Sequence, residues 1–235
     1  MSRRALIISA AVAVVCTFTP RSGQAAALSA TETAELSSRL ADLPGGPNRR
    51  ALNAALSSYF SALSRGAVAR SSLLTLIDYT RPSTEPRLWV LDLQTGRMIY
   101  RELVAHGRRS GDNMTRYFSN EAGSLMTSLG LFVTDLPYIG KNGYSLRLRG
   151  LDPGINDHAY DRAIVVHGAA YVDPDVVKTQ GRLGRSWGCP AIRPAIAHPL
   201  IDAIKGGNLL FVYYPDQKWL GTSAYLGSCA AAAAH

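Results

Sequence analysis

Between Leu73 and Tyr214 the apolar residues arrive in short runs punctuated by glycine, proline, asparagine and aspartate. That rhythm builds strands and tight turns rather than long helices. Arg87 to Leu93 reads as a strand, Gln94-Thr95-Gly96 as a turn, and Met98 to Ala105 as the returning strand of a hairpin. Leu131-Phe132-Val133 is a short strand, and Tyr144 to Arg149 another. In the latter Tyr144, Leu146 and Leu148 alternate with Ser145, Arg147 and Arg149, so one face is dry and the other wet. Ala163-Ile164-Val165-Val166 predicts a buried strand that ends by delivering His167, and Asn208 to Tyr214 predicts a closing strand. Pro194 to Lys205 reads as a short helix. The fold class is therefore mainly β, a sandwich or barrel.

The first part of the chain reads differently. Ser2-Arg3-Arg4 is a basic start, Ala5 to Phe18 an apolar core, and Gln24-Ala25-Ala26-Ala27 a small-residue cleavage site. Together they predict a signal peptide over 1–26, too short to span a membrane comfortably, and an exported, soluble mature chain in the periplasm or cell wall. Cys16 follows Val14-Val15 and lacks the small residue expected before a lipid-modified cysteine. Residues 27–72 form a helical segment. Leu36, Leu40 and Leu43 lie at helical spacing, Pro44-Gly45-Gly46-Pro47 breaks the pattern, and Leu52, Leu56, Tyr59, Phe60 and Leu63 share the face of a second helix. The main domain runs over 73–220, and a flexible tail, Ala-rich from Ser228 to Ala234, is expected over 221–235.

The formal charge of +8 stays positive after Arg3, Arg4 and Arg21 leave with the leader. A basic surface suits an anionic partner such as the cell-wall polymer, or serves only as solubilising charge. The cations are dispersed, without a Lys/Arg run or an interleaved aromatic platform, which argues against nucleic acid. Cys189 and Cys229 remain in the mature chain. Because Cys229 lies in the Ala-rich tail, a free Cys189 is favoured over a Cys189–Cys229 disulfide.

That cysteine sits in Ser186-Trp187-Gly188-Cys189-Pro190, downstream of His167-Gly168. A free thiol ionises near pH ~8.5, so only a small fraction is thiolate at neutral pH. An imidazole within reach can take its proton, the equipment of covalent acyl transfer. Gly188 lets the turn tighten, so that backbone N–H groups can face a developing oxyanion with no side chain in the way. Blander readings exist for each residue: Cys189 as a buried hydrophobe, His167 as a core histidine, and His106 or Ser128 as parts of structural turns. A metal site of His106, His167 and Cys189 lacks ligand spacing and a fourth donor.

Further motifs give the pattern its identity. His106-Gly107, Ser110-Gly111, Phe118-Ser119-Asn120 and Ser128-Leu129-Gly130 precede Arg162-Ala163-Ile164-Val165-Val166-His167-Gly168 and Gly181-Arg182-Leu183-Gly184-Arg185-Ser186-Trp187-Gly188-Cys189-Pro190-Ala191. Over roughly residues 73–220 this resembles the murein L,D-transpeptidase catalytic domain family (YkuD-like). The resemblance implies a β-sandwich catalytic domain that uses no metal or organic cofactor. Its partners would be peptidoglycan stem peptides, as donor and as acceptor. By the same likeness Cys189 attacks the L-to-D bond of a tetrapeptide stem, His167 acts as base and then acid, and the carbonyl of Gly168 orients the imidazole. Gly188 and Cys189 would supply the oxyanion hole, with Ser186, His106 and Ser128 along the substrate cleft.

Two departures stand out. Many relatives have His where this chain has Trp187, and Arg where it has Ala191, so Arg185 or Arg193 is expected to take over the substrate carboxylate. Hydrolysis of the same intermediate, by a carboxypeptidase or endopeptidase, fits these residues equally well. A rival from another class is a non-catalytic wall-binding module that keeps the fold. A papain-like amidase would need a helix starting at the cysteine, which the β-rich surroundings of His167 disfavour.

Overall fold

A computed structural model describes residues 30–68 and 72–226. The leader with Cys16, and the end of the tail with Cys229 and His235, fall outside the described residues, whereas 221–226, expected in a flexible tail, are packed: Ser223 donates to Asp152 and Leu226 is buried. Two helices come first, α1 (Ala30–Ala41) and α2 (Arg49–Ser64), separated by the Pro44–Pro47 turn. Asn48 caps α2 by accepting the Arg50 N–H. The turn itself is tied to the sheet, because the indole N–H of Trp89 donates to the Gly45 carbonyl over 2.9 Å.

The strands are β1 (Leu73–Asp78), β2 (Leu88–Asp92), β3 (Arg97–Glu102), β4 (Gly130–Gly140), β5 (Gly143–Gly150) and β6 (Val165–Gly168). After a short α3 (Pro174–Gln180) come β7 (Ala191–Ile192), α4 (Pro194–Ile204), β8 (Leu209–Tyr213) and α5 (Gln217–Thr222). All eight strands join one sheet in the order β3-β2-β1-β8-β4-β5-β6-β7. Ala105, just past β3, bridges to Ala191 in β7, so the two ends of the sheet meet in a nearly closed barrel. Closure removes the open edges that a flat sheet would expose. The mainly β class, the N-terminal helical hairpin and the helix after the cysteine turn all hold.

β1 was hidden in the sequence. Leu73-Leu74-Thr75-Leu76-Ile77-Asp78 shows no alternation, because nearly every residue is buried. The strand runs parallel to β8 at the centre of the sheet, and α2 packs on both strands. α2 contributes Leu52, Leu56 and Tyr59 to this core, beside Trp89, Phe211 and Trp219.

Two connections position the site. β6 lies between β5 and β7, and its pairing with β7 sets His167 opposite Ala191. α4 backs directly onto β6. A Cβ on Gly168 would stand 3.0 Å from that of Ala197, so this glycine admits the helix.

Candidate active site

His167 is nearly fully buried at the end of β6. Its Nδ1 lies 2.9 Å from the carbonyl oxygen of Gly168. A carbonyl can only accept, so Nδ1 carries the proton and Nε2 keeps its lone pair. Burial holds the imidazole below its ordinary pKa, with the Gly168 bond opposing that shift. The ring is therefore a neutral, oriented base at neutral pH.

Cys189 is a free, half-buried thiol. Two residues ahead of Ala191, it comes level with Val165, two residues ahead of His167 on the paired strand. Its Sγ–H points to the Ala163 carbonyl at 3.7 Å, and the Val165 N–H also faces the sulfur. Among the described residues no hydrogen bond joins the sulfur to the imidazole. Burial pushes the thiol pKa up, against the opposing pull of the Val165 amide and the Arg162 charge. The resting pair is thus thiol and neutral imidazole, not thiolate and imidazolium.

The turn that carries the thiol is pinned from within. Gly188 has φ 127°, a conformation side chains rarely adopt, and a Cβ there would stand 2.8 Å from the Met126 carbonyl. Its N–H donates to Ser186 Oγ at 3.1 Å, and that hydroxyl donates onward to the Cys189 carbonyl at 2.6 Å. The Gly188 carbonyl accepts from Thr127 Oγ1 at 3.3 Å. In a trans peptide the next N–H points away from that carbonyl, so the Cys189 amide faces away from Thr127. Of the two expected oxyanion donors, Gly188 is engaged inside the turn, while the Cys189 amide faces its own sulfur. Ser186, expected along the cleft, is buried and shapes the turn instead.

His106 was also expected beside the substrate. It is fully buried, with Nδ1 2.8 Å from Arg87 Nη2 and Nε2 3.2 Å from the Gly111 carbonyl. Arg can only donate and a carbonyl only accept, so Nε2 carries the proton and neither nitrogen remains for a ligand. Burial first, then the Arg87 charge, pushes its pKa down to about 3. Its backbone does the positioning: the His106 carbonyl accepts the Ser186 N–H at 2.9 Å, beneath the nucleophile turn. Arg87 is itself fully buried and donates to Val104, Arg81, Thr115 and His106.

That depressed pKa has a consequence for stability. Above the ordinary histidine pKa both folded and unfolded chains hold His106 neutral. Between about pH 6.5 and 3 only the unfolded chain takes up the proton, so stability falls as pH falls, by at most roughly 1.4 kcal/mol per pH unit from this group. Thermal melts are expected to show a steeper loss of Tm from pH 6.5 to 4.5 in the wild type than in His106→Gln. Equal slopes would remove His106 from the account.

The two arginines expected to hold a substrate carboxylate already have carboxylates of their own. Arg185 pairs with Asp112 at 2.6 Å. Arg193 makes a two-pronged bridge to Glu102, at 2.8 and 2.6 Å, tying the start of α4 to β3. Ser128, also expected at the cleft, is buried, donating to the Ser119 carbonyl and accepting from Arg162. Trp187 is 72% exposed beside the nucleophile, with the Arg108 guanidinium 5.9 Å from its ring centre. Sequence reasoning gave no role to Thr127, Arg87 or Arg162. A charge directly before an apolar strand, as at Arg87 and Arg162, was the available signal for the arginines. Among the described residues no three His, Cys, Asp or Glu side chains cluster as metal ligands. No helix among them is long and apolar enough to cross a membrane.

Known proteins share features with this chain. A family model described as the L,D-transpeptidase catalytic domain matches residues 46–213, a span that includes α2. Similar solved structures include an L,D-transpeptidase from Mycobacterium smegmatis, 15% identical over 61% of this chain and 59% of that one, with a TM-score of 0.39. Another, from Mycobacterium tuberculosis H37Rv, is 15% identical over 61% of this chain and 58% of that one, with a TM-score of 0.34. One from Stackebrandtia nassauensis is 13% identical over 77% of this chain and 90% of that one, with a TM-score of 0.38. The match spans about three fifths of the Mycobacterium smegmatis protein. No curated protein matches the chain.

Proposed function

This chain belongs to the L,D-transpeptidase catalytic domain family, and from that premise we propose that it is an exported cysteine acyltransferase that joins peptidoglycan stems through a Cys189 thioester. The observation that supports this reading most is the neutral His167. Its Nδ1–H is held by Gly168, and its strand pairs with β7, which directly follows the turn that carries the free thiol. Such an imidazole has one task open to it, which is to accept a proton at Nε2.

The chemistry follows from that state. The step requires Cys189 to turn from the Ala163 carbonyl so that Sγ–H reaches Nε2, a contact of the kind that commonly forms only when substrate is bound. As the proton moves to Nε2, sulfur attacks the carbonyl on the L side of the L-to-D bond in a tetrapeptide stem. The Cys189 amide N–H stabilises the oxyanion, a contribution worth about 10²–10³ in rate for a single well-placed donor. Collapse breaks the C–N bond, and the imidazolium proton leaves on the amine of the terminal D-residue. An acceptor amine from a second stem then loses its proton to Nε2 and attacks the thioester; the C–S bond breaks as the new amide forms, and the Nε2 proton returns to sulfur to restore the thiol.

Incubating the purified protein with tetrapeptide muropeptides and following products by mass spectrometry tests this. Cross-linked dimers are expected. Tripeptides alone would assign the intermediate to water and make the protein a hydrolase, and no product at all would overturn the catalytic reading.

A further inference from the structure

Arg162 stands out among the cations around the site for what it lacks. Arg185 and Arg193 each face a carboxylate, whereas the hydrogen bonds of Arg162 go only to neutral acceptors. Nη1 donates to the Ser119 carbonyl at 2.7 Å and to Ser128 Oγ at 2.5 Å. Nη2 donates to Ser124 Oγ at 3.1 Å and to the Met126 carbonyl at 2.8 Å. Among the described residues no ion pair includes it, although the exposed Glu121 lies close enough to feel its charge. A guanidinium fixed by hydroxyls and carbonyls keeps its full charge available to whatever else is near.

What is near is the nucleophile. The Met126 carbonyl that accepts from Nη2 is the same one that lies 2.8 Å from the place of a Cβ on Gly188. The residue after Arg162, Ala163, offers the carbonyl that receives the thiol at 3.7 Å. Local backbone strain gathers at this spot. Ala163 at φ 54° and Leu125 at φ 58° are the non-glycine residues with positive φ among those described; Ala163 follows Arg162 in the chain, and Leu125 lies between two residues that accept from it, Ser124 and Met126. Such conformations cost on the order of 1–3 kcal/mol each and persist only where surrounding contacts enforce them.

We propose that Arg162 is a positioning residue for Cys189: it ties the 119–128 segment to the Arg162-Ala163 turn that receives the thiol, and it holds there a charge that no carboxylate neutralises. The charge and the sulfur influence one another in the expected directions. Arg162 draws the thiol pKa down against the larger upward push of burial, and the thiolate in turn raises that of Arg162. The other titratable groups whose charge reaches the sulfur are Tyr171 in the loop beyond β6 and Tyr79 after β1, with His167 on the strand that pairs with β7. With the tyrosines neutral at working pH, Arg162 is the permanent charge in that set. The role rests on the acyl-transfer reading for its purpose, but its test does not.

The experiment is the pH dependence of Cys189 alkylation by iodoacetamide, which needs only the thiol. Arg162→Gln is expected to raise the midpoint by about one pH unit, the shift expected for loss of a nearby opposite charge. Arg162→Lys, which keeps the charge, is expected to stay close to wild type. An unchanged midpoint in folded Arg162→Gln overturns the proposal, and so does a Lys variant shifted as far as the Gln one, since the clamp alone would then account for the effect. Should Arg162→Gln fail to fold, Ser124→Glu sets a carboxylate against Nη2 at a half-buried site. It is expected to raise the midpoint, and no shift there overturns the proposal as well. The expected shifts in a protein that leaves muropeptides untouched would support the Arg162 role while overturning the wall reading alone.

Discussion

Cys189→Ala is expected to abolish cross-linking, with turnover falling by roughly 10⁴-fold or more, to the floor of the assay. The loss has one cause, the missing electron pair that forms the thioester, because the rest of the turn does not depend on sulfur. Ser186 Oγ bonds to the backbone of residues 188 and 189, Thr127 holds the Gly188 carbonyl, and 105–108 pairs with 186–191 through main-chain groups. The thiol itself contributes only a long bond to Ala163 and a contact with the Val165 N–H. The variant should therefore fold, with Tm within a few degrees of wild type. Circular dichroism melts beside the muropeptide assay separate the two effects. An alanine variant that still cross-links would leave only a non-catalytic role for the cysteine.

His167→Gln is expected to cost about 10²–10⁴-fold, the usual range for loss of a positioned acid–base group. Its signature lies in the pH profile. In the wild type the imidazole is held neutral by burial, so activity should persist below the ordinary histidine pKa as pH is lowered. Without the imidazole, the thiol must lose its proton to solvent. Burial raises the thiol pKa, so the variant's residual rate should climb through pH 8 and beyond while the wild type has levelled off. Rates measured from pH 5 to 10 with both proteins decide this. Parallel profiles would show that His167 takes no proton from Cys189.

Much of this was legible in the chain because it is written in local pattern. The two N-terminal helices carry their apolar faces openly, and Pro44-Gly45-Gly46-Pro47 marks the break. The β2–β3 hairpin announces itself through Thr95-Gly96, and Gly188 through its place before a cysteine. β1 did not show, because a strand covered on both faces has no alternation to read. α3 was missed although Asp173-Pro174 and Gly181 supply its cap, N1 proline and left-handed end.

The charged residues were the least legible part of the site, for a physical reason. A cation's role depends on which acceptor the fold brings to it. Arg193 meets Glu102 only because β3 and the start of α4 come together when the barrel closes. His106 looked like a cleft residue by its motif, yet Arg87 and Gly111 saturate it in the interior. Arg162 lies in the same motif as His167, and nothing in the motif shows that its partners are all neutral.

The claim on which the rest depends is that Cys189 forms an acyl-enzyme, and a carbapenem tests it most directly because its strained lactam carbonyl stands in for the donor stem. Intact-mass analysis of the folded protein, followed by peptide mapping, is expected to find one covalent adduct, carried by the peptide containing Cys189. No adduct, or one mapped to another residue while Cys189 stays free, would contradict the account.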